Sequence, residues 1–174
     1  MNYFELYDLP VSFSPDADAV KKKYYELSRK YHPDRYTLAP DAERAEALRM
    51  AAMNNDAYKV LNNADATMAY ILKMNALLEE EEKYSLPPDF LMEMMELNET
   101  VSQYEMEPDE ATKNDMLQMM AGEVEGWNEE VQPLIAKYTA GDTSKELLLE
   151  IKDYYFRRKY LLRIQQRIDT FAAH

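Results

Sequence analysis

The sequence predicts an all-α protein made of two helical units, an N-terminal helical hairpin followed by a C-terminal three-helix bundle. Composition is the first reason: only three of the 174 residues are glycine, and β-branched runs are scarce beside Leu, Met, Ala, Glu and Lys, a balance that favours helix over strand. Apolar residues also recur at spacings of three and four, the period of a helix with one buried face. Finally, the run Glu79-Glu80-Glu81-Glu82 leads into Pro87-Pro88, where paired prolines cannot continue a helix. The units are therefore expected at 1–78 and 89–174, joined by a linker at 79–88, with the acidic run read as a solvated helix end.

In the first unit Tyr3, Phe4, Leu6, Tyr7 and Leu9 form a short apolar helix closed by Pro10. Ser14-Pro15-Asp16 reads as an N-cap, a proline at the first helical position and an acid in the first turn. Along the helix that follows, Val20, Tyr24, Leu27 and Tyr31 fall on one stripe; Lys22 and Arg29 project from the opposite side. Pro33 ends it, because a residue before proline is pushed out of the α region. A polar loop from His32 to Pro40 leads into a helix over 41–62, with Leu48, Ala52, Asn55, Tyr58 and Leu61 or Asn62 on its inner face, and a further helix is expected over 66–82.

The second unit offers helices at about 89–104, 109–138 and 143–171, whose lengths and brief breaks suit antiparallel neighbours in a bundle. Gly122, Gly126 and Pro133 should bend or split the middle one. On the first, Phe90, Met94, Leu97, Val101 and Tyr104 fall within about 80° of arc and form the packing stripe. Leu91, Met92 and Met95 lie on another side, beside Glu96, Glu99 and Gln103. A helix apolar on two faces is either buried on both or offers one to a partner, and exposed methionines suit adaptable recognition.

Charge narrows the partners. The formal net charge is −13, and its distribution is uneven: residues 1–75 carry ten Lys/Arg against eleven Asp/Glu, the remaining 99 ten against twenty-two. An acidic surface disfavours nucleic acid and anionic membrane, since phosphate recognition needs the opposite sign. The chain has no cysteine, which removes disulfides and thiolate metal sites. No glycine-rich loop is present to cradle a nucleotide. Imidazole comes only from His32 and His174, with no acids at helical ligand spacing, so no metal site is expected; acidic pairs such as Glu93 with Glu96 read as solvated. No run reaches the length of a membrane span and no signal peptide is evident, so a cytoplasmic, monomeric protein without cofactor or catalytic residues is the expectation.

His32-Pro33-Asp34, set between two antiparallel helices and just after a helix with a basic outer face, resembles the J-domain of DnaJ-type co-chaperones. Tyr3-Phe4-Glu5-Leu6-Tyr7-Asp8-Leu9-Pro10, Tyr31-His32-Pro33-Asp34-Arg35 and Asn55-Asp56-Ala57-Tyr58-Lys59-Val60-Leu61 look like the HscB type, over the whole chain. The resemblance implies that His32, Pro33 and Asp34 engage a DnaK/HscA-type chaperone and stimulate its ATPase, with Lys22, Arg29 and Arg35 steering the encounter. It also implies that Leu91, Met92, Met95, Glu96 and Glu99, together with Phe156 on the last helix, bind an iron–sulfur cluster scaffold of IscU type; Gln103 stands where an acid is usual. The competing expectation is a general J-domain adaptor for another client. Two departures from the family pattern concern turns: Asp8 replaces a glycine, and Asn62-Asn63-Ala64-Asp65 lacks the usual proline and arginine.

Overall fold

The computed structural model describes residues 1–172; His174, one of the two imidazoles of the sequence, lies outside them. Among the described residues there is no strand, and no helix is long and apolar enough to cross a membrane. Within these residues seven α-helices and one 3-10 turn divide into two compact units, the chain passing from one to the other between Ala76 and Leu77.

The first unit holds α1 (Tyr3–Leu6), α2 (Ala17–Lys30), the 3-10 turn Pro33–Arg35, α3 (Asp41–Leu61) and α4 (Ala64–Met74). A capping box starts α1, the Asn2 side chain accepting from the Glu5 N–H while the Glu5 carboxylate reaches back to the Asn2 N–H. The helix ends at Asp8, whose φ of 53° is left-handed, the conformation glycine would adopt most easily. Asp8 is held there by Lys23 Nζ at 3.0 Å. The expected N-cap of α2 is displaced: Asp16, not Ser14, caps it, accepting from the N–H groups of Asp18 and Ala19. A carboxylate serves a cap better than a hydroxyl here because it meets two orphan donors at once.

Helices α2 and α3 run antiparallel, with Tyr24 stacked on Tyr58 at 4.2 Å and Ser28 level with Asn54. The inner face of α3 is not the expected one. Ala47, Met50, Asn54, Ala57 and Leu61 are buried, whereas Leu48, Ala52 and Asn55 are exposed. The cause is Asn54, which joins three helices: Tyr7 Oη donates to its Oδ1 at 2.8 Å and to its carbonyl at 3.1 Å, and its Nδ2 donates to Tyr24 O and Ser28 Oγ, both at 3.1 Å. These bonds, and the small Ala47 and Ala57 that allow close approach, outweigh the burial of Leu48.

Helix α4 stops at Met74 instead of continuing to residue 82. Asn75 closes it, its Nδ2 donating to Ile71 O at 2.8 Å, and Ala76 turns left-handed at φ 57°. Continuation would have set four glutamates at the negative end of the helix dipole.

In the second unit α5 (Pro88–Met106), α6 (Glu110–Thr139) and α7 (Lys145–Ala172) pack as three rods, neighbours in sequence antiparallel. Phe90, Met94, Leu97, Val101 and Tyr104 form the inner stripe of α5, as their spacing predicts, against Met116 and Met120 of α6 and Leu161, Ile164 and Ile168 of α7. Helix α6 is not split. Pro133 faces solvent, so the carbonyl it deprives of a partner can meet water, while Val131 and Leu134 anchor the rod on the buried side. Residues 77–87 are not helical but belong to this unit. Tyr84 stacks on Phe156 at 4.4 Å, nearly parallel, its Oη donates to Asp153 Oδ1 at 2.7 Å, and Glu82 pairs with Lys152 at 2.7 Å. The acidic run is thus partly used in packing. Burial and the bond to Asp153 push the Tyr84 phenol up to about 12.

Candidate functional site

The tip of the first hairpin is shaped by proline. His32 is extended (φ −61°, ψ 133°), as a residue before proline must be, and Pro33 starts the 3-10 turn whose N–H donors at Arg35 and Tyr36 bond His32 O and Pro33 O. His32 Nδ1 accepts from the Asp34 N–H at 3.2 Å. In the neutral ring this leaves the proton on Nε2, so the imidazole offers a donor to a partner. The Asp34 side chain is 90% exposed and that of His32 58%, with Asp34 Oδ2 3.7 Å from His32 Nδ1, so both groups remain open to a partner. Tyr36, which the sequence reading had not singled out, locks the base of the turn by donating from Oη to Lys30 O at 3.1 Å.

The fold brings most of the predicted residues together. Arg29, His32, Asp34 and Arg35 line one groove of about 370 Å³ with Tyr25 and Ser28. Lys22 lies one helical turn away, on the Tyr25–Arg29 side of α2. Among the described residues Lys22, Arg29 and Arg35 make no ion pair, whereas their neighbour Lys23 is held by Asp8 and Glu26. Three unneutralised cations beside an exposed carboxylate and imidazole favour an acidic partner that also presents donors and acceptors. Pro33 opens on a second groove with Tyr31, Tyr36, Arg44, Ala47 and the exposed Leu48.

On the second unit the outward face of α5 is an apolar patch ringed by acids. Leu91 is 41% exposed, Met92 70% and Met95 58%, with Glu96, Glu99 and Gln103 exposed beside them. Met106, also exposed, extends the surface past Gln103; it lies beyond residue 104, where the helix is expected to end. Phe156, expected on this surface, is 9% exposed and stacked on the Tyr84 ring, so it presents little area of its own to a partner.

Glu93 is also reassigned. It is paired across the bundle with Glu123 of α6, not with Glu96, at a small cavity of about 90 Å³ lined by Gly122, Gly126, Trp127 and Arg157. Burial, then the Glu93 carboxylate and its hydrogen bond, push the Glu123 carboxyl up to about 7. No group of His, Asp and Glu among the described residues is arranged to hold a metal ion.

A helical hairpin with an exposed His-Pro-Asp turn, followed by a separate helical bundle, defines the class of J-domain proteins. Residues 2–70 match the family model of the DnaJ domain, and residues 86–169 match that of the HSCB C-terminal oligomerisation domain. The co-chaperone protein HscB homolog of Vibrio atlanticus is 30% identical over 170 residues, 97% of this chain and 95% of that protein. The Vibrio vulnificus (strain YJ016) homolog is 39% identical over 104 residues, a match that spans 61% of its length, less than two thirds. The chain belongs to the HscB family of co-chaperones. Two solved structures share its fold: chaperone HscB from Vibrio cholerae, with TM-score 0.75 at 22% identity over 99% of this chain and 98% of that one, and human co-chaperone protein HscB, with 0.79 at 23% over 99% and 82%.

Proposed function

We propose that this co-chaperone stimulates the ATPase of a DnaK/HscA-type chaperone through the hairpin tip and delivers to it an iron–sulfur cluster scaffold of IscU type, held on the outward face of α5. The observation that carries the first part is the groove shared by Arg29, His32, Asp34 and Arg35. It joins unpaired positive charge, which steers an acidic partner, to an imidazole and a carboxylate that make directional bonds. Lys22 extends the positive face and Pro33 fixes the turn. The tip performs no chemistry; hydrolysis takes place in the chaperone. His32→Gln is expected to abolish stimulation in single-turnover ATPase assays while helicity and scaffold binding are kept. Unchanged stimulation would overturn the assignment.

The second part rests on the acid-ringed patch of Leu91, Met92, Met95, Glu96 and Glu99. Apolar side chains supply the contact area and the carboxylates select a basic partner surface. Phe156, 9% exposed and stacked on Tyr84, would add little contact area of its own. Truncating Leu91 and Met92 together to alanine is expected to weaken scaffold binding by at least about tenfold, since two such side chains are worth several kcal/mol when desolvated. An unaltered calorimetric affinity would remove the patch from the assignment.

A further inference from the structure

The chain carries twelve methionines and no cysteine, so thioethers are its only oxidisable sulfur. Their exposure divides sharply along one helix. Met94 is fully buried, and Met116 and Met120 lie with it in the bundle core. Met92 and Met95, within one helical turn of it, stand largely in solvent as the outer part of the apolar patch. We infer that Met92 and Met95 are a reversible oxidation site, and that their conversion to sulfoxide releases the partner bound on this face. The inference rests on the proposed scaffold-binding role of α5.

The chemistry balances with a hydroperoxide as oxidant. The sulfur lone pair attacks one oxygen of hydrogen peroxide, the S–O bond forms as the O–O bond breaks, and the departing hydroxide takes up the proton of the transferred oxygen to give water. Sulfur is oxidised by two electrons and the peroxide reduced by two. Hydrogen peroxide is uncharged, so the acidic surface does not repel it as it would an anionic oxidant. Thioethers in the packed core are shielded, and the helix should survive the reaction.

What changes is the patch. A sulfoxide is polar and a strong hydrogen-bond acceptor, whereas the thioether is a soft apolar group. The charged side chains nearest to it in sequence are Glu93, Glu96 and Glu99, acceptors themselves when ionised, and the nearest donors on α5 are already engaged, the Asn98 amide with Met94 O and Tyr160 Oη and the Thr100 hydroxyl with Glu96 O. Docking would then strip water from an acceptor with nothing in exchange, and each buried sulfoxide is expected to lower affinity by about tenfold or more. Methionine sulfoxide reductases reverse the modification, one enzyme for each epimer.

The test uses the full chain. The parent protein and a Met92→Leu/Met95→Leu variant, which keeps apolar volume without sulfur, are treated with hydrogen peroxide and quenched with catalase. Oxidised positions are mapped by peptide mass spectrometry, helicity by circular dichroism, and affinity for a purified IscU-type scaffold by calorimetry. The expected result is sulfoxide at Met92 and Met95, with the still more exposed Met106 oxidised in both proteins, unchanged helicity, a loss of affinity of at least about tenfold in the parent, recovery after treatment with both reductases, and, in the variant, no change on peroxide treatment from its own untreated affinity. Affinity that survives sulfoxide formation at both positions overturns the inference, as does an equal loss in the variant or a loss that tracks falling helicity. Absence of binding before oxidation overturns the parent reading and this one with it, whereas binding that persists after oxidation overturns this one alone.

Discussion

Asn54 is the residue through which the first unit is most sensitive to a single polar change, and Asn54→Ala tests that claim. The substitution removes three hydrogen bonds: Tyr7 Oη to Oδ1 at 2.8 Å, and Nδ2 to Tyr24 O and Ser28 Oγ at 3.1 Å. A buried hydrogen bond contributes about 1 kcal/mol, which sets an upper figure of about 3 kcal/mol. Two surviving contacts reduce it. Tyr7 Oη keeps the Asn54 carbonyl at 3.1 Å, and Ser28 Oγ keeps Tyr24 O at 2.8 Å, so no hydroxyl is orphaned and the expected loss is about 2 kcal/mol. Urea unfolding followed by circular dichroism measures it. With a slope of about 1 kcal/mol/M for so small a unit, the midpoint should fall by about 2 M. The single tryptophan, Trp127, lies in the second unit, so its fluorescence identifies which transition has moved. Tyr7→Phe on its own should cost about 1 kcal/mol, and the double variant should show a coupling of similar size. A loss below about 0.5 kcal/mol, or additive effects, would refute the view that Asn54 sets the register of α3.

Two further outcomes follow from the second unit. Glu123, pushed up to about 7 from 4.5, is protonated in the fold and ionised in the unfolded chain between those values, so stability should fall as pH rises through that window. The displacement corresponds to about 3 kcal/mol at most, and solvent screening at this partly exposed site leaves about 1 kcal/mol; Glu123→Gln should gain that much at pH 8 and almost nothing near 4.5, and parallel pH–stability curves for parent and variant would contradict it. Tyr84→Ala removes both the ring stack on Phe156 and the bond to Asp153, releasing residues 77–87 from α7. Trypsin cleavage at Lys83 should then accelerate by about tenfold, since cutting follows local opening, and an unchanged digestion rate would show that the segment is held elsewhere.

How much of this was legible in the sequence depended on the range of the forces involved. The inner stripe of α5 could be read because five large apolar residues repeat at helical spacing and burial acts on each alone. The turn at His32-Pro33-Asp34 could be read because proline constrains its own φ and the residue before it. Helix α3 misled because its apolar content is mostly alanine, which marks no face strongly, while Leu48 suggested the wrong one. The buried face is set by Asn54, whose partners are Tyr7, just past α1, and Tyr24 and Ser28 of α2. Phe156 was assigned to the surface for a similar reason: the ring that covers it belongs to Tyr84, in a stretch whose four glutamates read as solvent-facing.

The two exposed faces also differ in how they are made, and this bears on how each should respond to substitution. At the hairpin tip the turn is tied by short-range bonds: the Asp34 N–H donates to His32 Nδ1, the Arg35 and Tyr36 N–H groups to His32 O and Pro33 O, and Tyr36 Oη to Lys30 O. A partner meets it already ordered, and little conformational entropy remains to be lost on docking. The α5 patch is ordered only in its backbone; Met92 and Met95 are flexible side chains standing in water. Recognition at the tip therefore depends on geometry, so even a conservative change such as His32→Gln should be severe. Recognition on α5 depends on apolar area, so a change that preserves area, such as methionine to leucine, should be tolerated, while one that adds a polar atom should not.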